Sequence, residues 1–222
     1  MTSTHKPTAV SHLLASHVPG QERLRVLSAS GQLGFGIVQD SLARGLQRKP
    51  HFIGCDMGSI DPGPFYLGSG QMAAPKDMVL RDLELVLLAA RQLNVPLIIG
   101  SAGTAGAKPQ LAATLALLQE VAQKHGLSFS VATVCSDVPR QILIEAVQDG
   151  RLKSLDPDGV ALPLPVPNPS QIELATHVVA QCGTHTFIEA LTHQPDVLIA
   201  GRSCDTAIFA ALPQMLGYDP AL

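Results

Sequence analysis

Three turns rich in Gly, Ser and Asp carry the side chains of this chain that could do chemistry. The first turn holds two carboxylates, Asp56 and Asp61, with the hydroxyl of Ser59 between them. A carboxylate at a strand end can act as a general base, ligate a metal ion or bind a substrate hydroxyl. The alternative is that both carboxylates bond the amides of their own loop. Asp56 and Asp61 are therefore candidate catalytic residues, and candidate ligands if a metal ion is used.

The second turn, residues 100–106, reads Gly-Ser-Ala-Gly-Thr-Ala-Gly. Small residues let a ligand approach the backbone, and free amides at the start of a helix attract anions. The turn lacks the Lys of a P-loop, and its glycine spacing differs from the dinucleotide fingerprint GxGxxG. Gly100, Ser101 and Gly103 are candidate anion-binding residues, and the alternative is a tight strand-to-helix turn without a ligand.

The third turn places a cation beside a carboxylate, in the order Arg202, Asp205, Thr206. An Arg at a strand end can clamp a carboxylate or phosphate with two hydrogen bonds. We take Arg202 and Thr206 as candidate ligand-binding residues and Asp205 as a candidate catalytic residue. Two alternatives stay open: Arg202 pairs with Asp205, or Asp205 caps the final helix.

Other familiar site motifs are missing. The four cysteines form no CxxC pair, which argues against a zinc ribbon or a thioredoxin-type site. His177 and His185 lie on either side of Cys182 and could share a metal ion, although ordinary surface or core histidines are the simpler interpretation. No GxSxG elbow supports an α/β-hydrolase triad. The sequence names no cofactor.

Each polar turn directly follows a short apolar run, at residues 51–55, 97–100 and 197–200. Apolar runs of this length, separated by helical segments, are typical of buried strands in a parallel sheet. Ligands bind at the carboxyl ends of such strands. The three turns are therefore predicted to lie at one edge of a sheet.

The remaining periodicity predicts an α/β fold with about five mostly parallel strands and helices on both faces. Further strands are predicted at 24–28 and 127–134, and the clearest helix is predicted over 76–93. Glycines and prolines predict that most of 56–75 lacks regular structure. Ser170 and Glu173 match a capping box, which predicts a helix start there and a helix that reaches Val179.

Composition excludes several classes of protein. Only 15% of the 222 residues are charged and 46% are hydrophobic, so the chain is expected to fold. The net charge of −3 and the lack of a basic cluster argue against nucleic acid as a partner. No apolar run is long enough for a membrane span, and no signal core opens the chain. A cytoplasmic protein with reduced thiols is expected.

The domain organisation is predicted as an extension over residues 1–22 and one α/β domain over 23–222. Five prolines between residues 156 and 169 predict an extended connector. The chain stops directly after its last helix, so the final strand is expected to be an edge that needs cover. We therefore expect a small-molecule ligand and either a homo-oligomer or a partner subunit that completes the fold.

The turn sequences resemble one protein family. IGCDMGSIDPGPFYLGSG, PLIIGSAGTAG and VLIAGRSCDTAIFAALP are together similar to the acyclic terpene utilisation protein A family, once listed as a domain of unknown function. The resemblance runs from about Leu24 to Tyr218 and corresponds to the N-terminal portion of longer family members. The motif positions that carry over are Asp56, Gly58, Ser59, Asp61, Pro62, Gly63, Gly100, Ser101, Gly103, Gly201, Arg202 and Asp205.

The resemblance implies a bacterial catabolic protein linked to the breakdown of branched terpenoids such as citronellol through acyl-CoA intermediates. It implies no settled reaction or cofactor. Two hypotheses follow. In one, the protein is an enzyme of lyase or hydratase type, with Asp56 or Asp61 as base and Arg202 holding a carboxylate, acyl-CoA or phosphate. In the other, it is a non-catalytic subunit or fragment whose site is completed by another chain.

Overall fold

The structure, a computed structural model, describes residues 7–59, 62–153, 166–219 and 221. Its strands are β1 (Val26–Ser30), β2 (Phe52–Asp56), β3 (Leu97–Gly100), β4 (Val131–Val134) and β5 (Val197–Ala200). Its helices are α1 (Ala9–Ser16), α2 (Gln39–Gln47), α3 (Phe65–Ser69), α4 (Lys76–Leu93), α5 (Lys108–Lys124), α6 (Arg140–Gln148), α7 (Pro169–Leu174), α8 (Thr184–Leu191) and α9 (Asp205–Met215).

The five strands form one parallel sheet in the order β1-β2-β3-β5-β4. The predicted α/β class, with about five parallel strands and helices on both faces, is confirmed. The expectation that the last strand forms an edge is wrong, because β5 inserts between β3 and β4 and the described sheet has β1 and β4 at its edges. Insertion buries β5 on both sides, which explains its uninterrupted apolar sequence.

The direction of each crossover decides which face a helix covers. The steps from β1 through β2 and β3 to β4 advance one way across the sheet, and right-handed crossovers then place α2, α4 and α5 on one face. The step from β4 back to β5 runs the other way, so α8 lies on the opposite face, where α1 and α9 join it. Consecutive strand residues alternate between the two cores, as with Phe52 in one and Ile53 in the other.

Helix α4 shows why the first face is stable. Its apolar side chains recur every three to four residues, as helical geometry requires, and the fully buried ones are Val79, Leu83, Val86, Leu87 and Ala90. Burying each large side chain contributes about 1.5–3 kcal/mol before entropy losses. The observed bounds of α4 match the predicted helix over 76–93.

A buried carboxylate on α4 fixes the glycine-containing loop after β1. Asp82 is fully buried, and its two oxygens accept hydrogen bonds of 3.0 Å from the amides of Gly34, Gly36 and Ile37. Gly34 has φ +103, and a Cβ there would lie 2.8 Å from the side chain of Val79. This loop is therefore held closely against α4, and its glycines serve packing.

On the second face, α9 packs closely against the sheet because two strand residues lack side chains. A Cβ on Gly54 would overlap the ring of Phe209. A Cβ on Gly100 would lie 2.5 Å from Ile208 Cδ1 and 2.6 Å from Ser203 Oγ. Gly54 and Gly100 thus set the height of α9 above β2 and β3, and with it the position of the helix's first turn.

The first helix is anchored to the other end of the chain. The amide of Ala9 donates to Asp196 Oδ1 at 2.8 Å, and Val10 and Leu13 are buried in the second core. Arg91 on α4 donates to the same oxygen of Asp196 at 2.9 Å. The segment predicted as an extension thus includes a packed helix, whereas the domain boundary at residue 22 stays a prediction.

One local prediction is wrong, and another needs a detail added. Within the long loop 56–75, which was predicted to lack regular structure over most of its length, residues Phe65–Ser69 form a short helix. The capping box before α7 is formed by Asn168 and Gln171, whose side chains each bond the other's amide, so the predicted box of Ser170 and Glu173 is not used. Pro169 then occupies the first turn, where its missing N–H costs nothing. Helix α7 ends at Leu174, and of the predicted connector 156–169 only residues 166–169 are described.

Candidate functional site

The crevice of this sheet lies between β3 and β5. These neighbouring strands send the chain to opposite faces, toward α5 and α9 respectively. In open α/β sheets, such a switch point creates a ligand crevice at the carboxyl ends of the strands. The turns after β2, β3 and β5 all lie at this edge, as their positions in a parallel sheet require.

The turns after β3 and β5 are hydrogen-bonded to one another. The amide of Ser101 donates to the carbonyl oxygen of Gly201 at 3.0 Å, and the amide of Arg202 donates to that of Gly106 at 3.0 Å. A Cβ on Gly106, which has φ +72, would overlap the backbone of Arg202. The two turns therefore act as one rigid unit from which the Arg202 side chain extends.

Two buried serines lock the same turns. Ser101 donates its amide to Ser203 Oγ at 3.1 Å, and Ser203 donates its amide to Ser101 Oγ at 3.3 Å. Both side chains are fully buried. Ser101 also has φ +50, an uncommon value for a residue other than glycine. The Ser101 hydroxyl, which was predicted to bind ligand, thus forms its hydrogen bonds within the protein and fixes the backbone.

The amides of the 100–106 turn are largely occupied by the protein itself. Thr104 and Gly106 donate to carbonyl oxygens within the turn. At the start of α5, Ala107 donates to the side chain of Gln110, and Lys108 donates to Asp137 Oδ2 at 2.7 Å. The Asp137 carboxylate thus stands where an anion would bind. This geometry favours the tight-turn alternative over a phosphate cradle.

Asp56 is the most unusual polar residue of the edge. It is the last residue of β2, pairs with Gly100 of β3, and is only 5% exposed. Its Oδ1 atom is buried and has no hydrogen-bond partner among the described residues. A buried polar atom without a partner is costly, and in native proteins such atoms concentrate where a ligand or a reaction uses them.

The charge on Asp56 is finely balanced. Burial, helped by the nearby Asp205 carboxylate, raises the pKa of Asp56 to about 6, although the amides of Gly58 and Met57 and the charge of Arg202 act to lower it. Asp56 therefore changes its protonation state near neutral pH. A carboxyl group with such a pKa can both accept and donate a proton under physiological conditions.

Arg202 is half-buried, and its guanidinium group makes few polar contacts. Within the described part of the chain, no carboxylate lies within ion-pair distance of its guanidinium, and its one hydrogen bond is a long one, 3.4 Å from Nη1 to the carbonyl oxygen of Thr104. A Cβ on Gly58 would lie 3.0 Å from Nη1, so this glycine makes room for the guanidinium. The alternative of an Arg202–Asp205 ion pair is therefore not what the structure shows.

Asp205 and Thr206 open α9 at the same edge. Cys204 is the N-cap residue and makes no side-chain cap bond, so Asp205 is the first helical residue and does not cap the helix. Both Asp205 and Thr206 are exposed. A carboxylate in the first turn interacts favourably with the helix dipole, while the same dipole attracts other anions.

The other predicted residues have less distinct positions. Ser59 is half-buried at the end of the described part of its loop. Gly103 has φ +65 and lies against Gln110, where a Cβ would be 2.8 Å away. Asp61, predicted as a catalytic residue and metal ligand, lies outside the described residues.

A histidine cluster forms at the opposite edge of the sheet, where no site was predicted. Among the described residues, His17, Glu22 and His51 bring potential metal ligands within 4.8 Å of one another. However, the Arg25 amide donates to His51 Nδ1, and the Arg25 guanidinium lies 3.1 Å from His51 Nε2, so both ring nitrogens of His51 already face Arg25. The Arg25 guanidinium also lies 3.3 Å from Glu22. The cluster thus already contains its own cation.

A metal ion shared by His177 and His185, the less simple of the two interpretations, is not supported in the described residues. His177 lies 3.7 Å from Asp137, and His185 is exposed on α8. The simpler interpretation of these histidines fits better.

A cavity of about 920 Å³ lies beside α9. It is a groove over the uncovered face of β1, and its apolar walls are Leu24, Val26, Phe209, Ala210, Pro213 and Tyr218. Thr206 lines one end, next to the candidate site, and Glu22 lines the other. No pattern in the sequence predicted this groove, because it depends on α9 covering β2 and β3 and leaving β1 bare.

Sequence reasoning also missed the roles of Gly58 and Ser203. Both residues lie inside the predicted turns, but each contributes through contacts with another turn that is far away in the sequence. A Cβ on Gly58 would be 2.5 Å from Ser101 Cβ, so only glycine fits there. The available signal was the occurrence of small residues in two successive turns of a parallel sheet.

Comparison with known proteins gives one match. The profile of a family described as acyclic terpene utilisation family protein AtuA matches residues 71–215, about two thirds of the chain. No curated protein and no solved structure matches. In the described residues, no helix has both the length and the apolar character needed to cross a membrane.

Proposed function

Because the chain belongs to the acyclic terpene utilisation family AtuA, we propose that it takes part in the catabolism of acyclic terpenes as an acid–base enzyme. Its substrate is the carboxylate or acyl ester of a branched intermediate. The reaction is of lyase or hydratase type, in which a proton leaves or joins a carbon next to the carbonyl group.

The observation that carries this proposal is the state of Asp56. Its buried Oδ1 lacks a partner among the described residues, and burial raises its pKa to about 6. At neutral pH the carboxylate form predominates and can accept a proton from carbon. A base whose pKa lies near the working pH is largely in its unprotonated form and still binds the proton strongly enough to remove it from the substrate.

Arg202 supplies the complementary charge. When a proton leaves the carbon next to a carbonyl group, negative charge moves onto the carbonyl oxygen, and a positioned cation stabilises that charge. The guanidinium is held by the linked turns and makes only one long hydrogen bond in the described structure. Its fork geometry suits a carboxylate or thioester oxygen.

Asp205 tunes Asp56 in this proposal. Its negative charge is one of the causes that raise the pKa of Asp56. Removing that charge lowers the pKa and makes Asp56 a weaker base that is ionised at lower pH. Asp205 is thus a positioning and tuning residue, and Asp56 is the group that exchanges the proton.

Hydrogen–deuterium exchange tests the proposal, because it detects proton transfer at carbon whether or not the complete reaction takes place. The protein is incubated in D₂O with citronellate or citronellyl-CoA, and mass spectrometry follows deuterium at the carbon next to the carbonyl group. We expect exchange that rises with pH through about 6 and falls by about 10²-fold or more in Asp56→Asn. Asp205→Asn is expected to shift the pH profile toward acid.

Asp149→Asn is the matched control, because Asp149 is exposed and pairs only with Arg151 among the described residues. It should exchange like the wild type. Exchange at the wild-type rate in Asp56→Asn, or no exchange in any variant including the wild type, would contradict the assigned role of Asp56.

A second candidate function is a subunit whose site another chain completes. Both edge strands present exposed valines, Val26 on β1 at 40% and Val131 on β4 at 37%. Edge strands with apolar side chains are typical places for another chain to pair. Light scattering of the purified protein tests this candidate, since a monomer that catalyses exchange unaided would contradict it.

A further inference from the structure

We propose that the groove beside α9 binds the apolar chain of an amphiphilic small molecule whose polar head lies at the Asp56 end. The inference rests on the proposed function only for the orientation of the head. The volume of the groove, about 920 Å³, lies within the range of small-molecule sites. Apolar walls with a few polar groups at the ends are typical of such sites.

The floor of the groove is strand β1. Val26 is 40% exposed there, and Ser28, two residues farther along the same face, is exposed as well. The strand face is bare because α9 packs over β2 and β3, where Gly54 and Gly100 accept it. The flank of α9 forms the wall, and its lining residues Thr206, Phe209, Ala210 and Pro213 recur at helical spacing.

The groove leads to the candidate site. Thr206 lines its end, and Thr206 follows Asp205, whose charge acts on Asp56. A ligand chain that lies along α9 therefore directs its head toward the first turn of the helix. At the opposite end, the exposed residues Glu22, Arg23 and Asp219 line the groove, so that end is polar and carries more negative than positive charge.

The length of the groove limits the chain. The wall from Thr206 to Pro213 covers eight residues of α9, that is seven helical rises or about 10 Å. An extended chain of roughly eight carbons covers this distance, since each carbon–carbon bond advances it by a little over 1 Å. The ligand class is thus a medium-length acyl or alkenyl chain with an acidic or polar head.

Two probes separate the groove from the polar site. Octan-1-ol carries an eight-carbon chain without charge, and octanoate adds the anionic head. Isothermal titration calorimetry measures their affinities, and methyl NMR reports which valines respond. We expect both probes to bind, with affinity increasing about fourfold per methylene along the series from butanol to octanol. The Val26 methyl signals should shift while those of Val131 stay unchanged.

Two variants block the groove in different ways. Ala210→Trp fills it from the half-buried wall, and Val26→Asp places a charge on its floor. Each variant should lower the affinity for octan-1-ol at least tenfold. Val131→Asp is the matched control, because Val131 is a similarly exposed valine on the other edge strand and also lines a surface depression. It should bind as the wild type does.

The outcomes distinguish this inference from the proposed function. Loss of octan-1-ol binding in both groove variants supports the inference, even if Asp56→Asn leaves proton exchange unchanged. Equal binding in wild type, Ala210→Trp and Val26→Asp overturns the groove assignment, even if the role of Asp56 stands. Absence of probe binding to the wild type overturns it as well, and so does a dimer whose interface shields Val26.

Discussion

The main-chain amide of Arg202 donates a hydrogen bond to the carbonyl oxygen of Gly106 at 3.0 Å, although 95 residues separate them in the chain. This bond joins the turns after β3 and β5 across the switch point. It fixes the backbone from which the guanidinium extends. The position of a candidate ligand-binding side chain is thus set by a glycine in another turn.

Gly106→Ala is expected to destabilise the protein severely. Its φ is +72, and the added Cβ would overlap the backbone of Arg202, which cannot move without breaking the linked turns. We expect a loss of more than about 3 kcal/mol in the free energy of unfolding, as for other steric conflicts in a packed interior. Chemical denaturation measures the change.

The control for that prediction is Gly126→Ala. Gly126 has φ +59, but a Cβ there would meet nothing within 4 Å. It should cost only about 1 kcal/mol, the strain of the left-handed conformation alone. Equal losses in the two variants would show that the contact with Arg202 contributes nothing.

Arg202→Met is expected to weaken anion binding while leaving the fold intact. The guanidinium makes one long hydrogen bond to Thr104 and no ion pair among the described residues, so its removal breaks little. Loss of a charged hydrogen bond to a carboxylate costs about 1.5–3 kcal/mol, or roughly 10–100-fold in affinity. Calorimetry with octanoate measures the affinity. A large drop in melting temperature would instead indicate a structural role.

Asp56→Asn is expected to stabilise the protein at neutral pH. Burial raises the pKa of Asp56 from 3.8 to about 6, so the native state holds its proton more tightly than the unfolded chain. The stability that this proton contributes is present at low pH and is lost as the pH rises from about 4 through 6. At pH 7 the variant should gain up to about 3 kcal/mol, because Asn cannot ionise.

Denaturant titrations between pH 4 and 8 measure this effect. The wild type should lose stability over that interval relative to Asp56→Asn, and the two should converge at the acid end. Parallel pH profiles for the two proteins would contradict the assigned pKa of Asp56.

Asp196→Ala is expected to destabilise the protein strongly. The carboxylate accepts bonds from the amides of Ala9 and Ser130 and pairs with Arg91, whose side chain is mostly buried. Removing one partner of a buried ion pair costs about 3–5 kcal/mol. By contrast, Asp149→Ala removes an exposed pair and should cost less than about 1 kcal/mol.

The pH dependence at Asp196 has the opposite sign to that at Asp56. Burial alone would raise the pKa of Asp196, but the bonds from Ser130, Ala9 and Arg91 outweigh it and hold the pKa below its usual value. The resulting stabilisation is present at neutral pH and is lost as the pH falls through the native pKa. Acid denaturation should therefore be shallower in Asp196→Ala than in the wild type.

Individual helices and strands could be predicted from the sequence because the residues that determine them are neighbours in the chain. Helix α4 and strand β3 were predicted with their observed bounds, since periodic apolar residues and a following Asn and Pro mark them. Strand β4 was predicted over 127–134 but begins at Val131. Ser130 instead bonds Asp196, a partner 66 residues away that no local pattern indicates.

The location of the candidate site could be predicted from the sequence, but the contacts that build it could not. Asp56 and Arg202 were identified because they follow apolar runs. The interior position of β5 was missed, because strand order depends on crossovers that a single sequence does not display. The burial of Ser101 was missed for the same reason, since its partner Ser203 lies in a turn about a hundred residues away.

The bond between Ala9 and Asp196 has a consequence for the time course of biosynthesis. The two residues are 187 positions apart, so α1 has no anchor when it leaves the ribosome. At about 5–20 residues per second, its carboxylate partner follows roughly 10–40 s later. Strand β4 must wait as well, because its neighbour β5 is made after it. Until then, the apolar residues Val10 and Leu13 have no completed core to pack against.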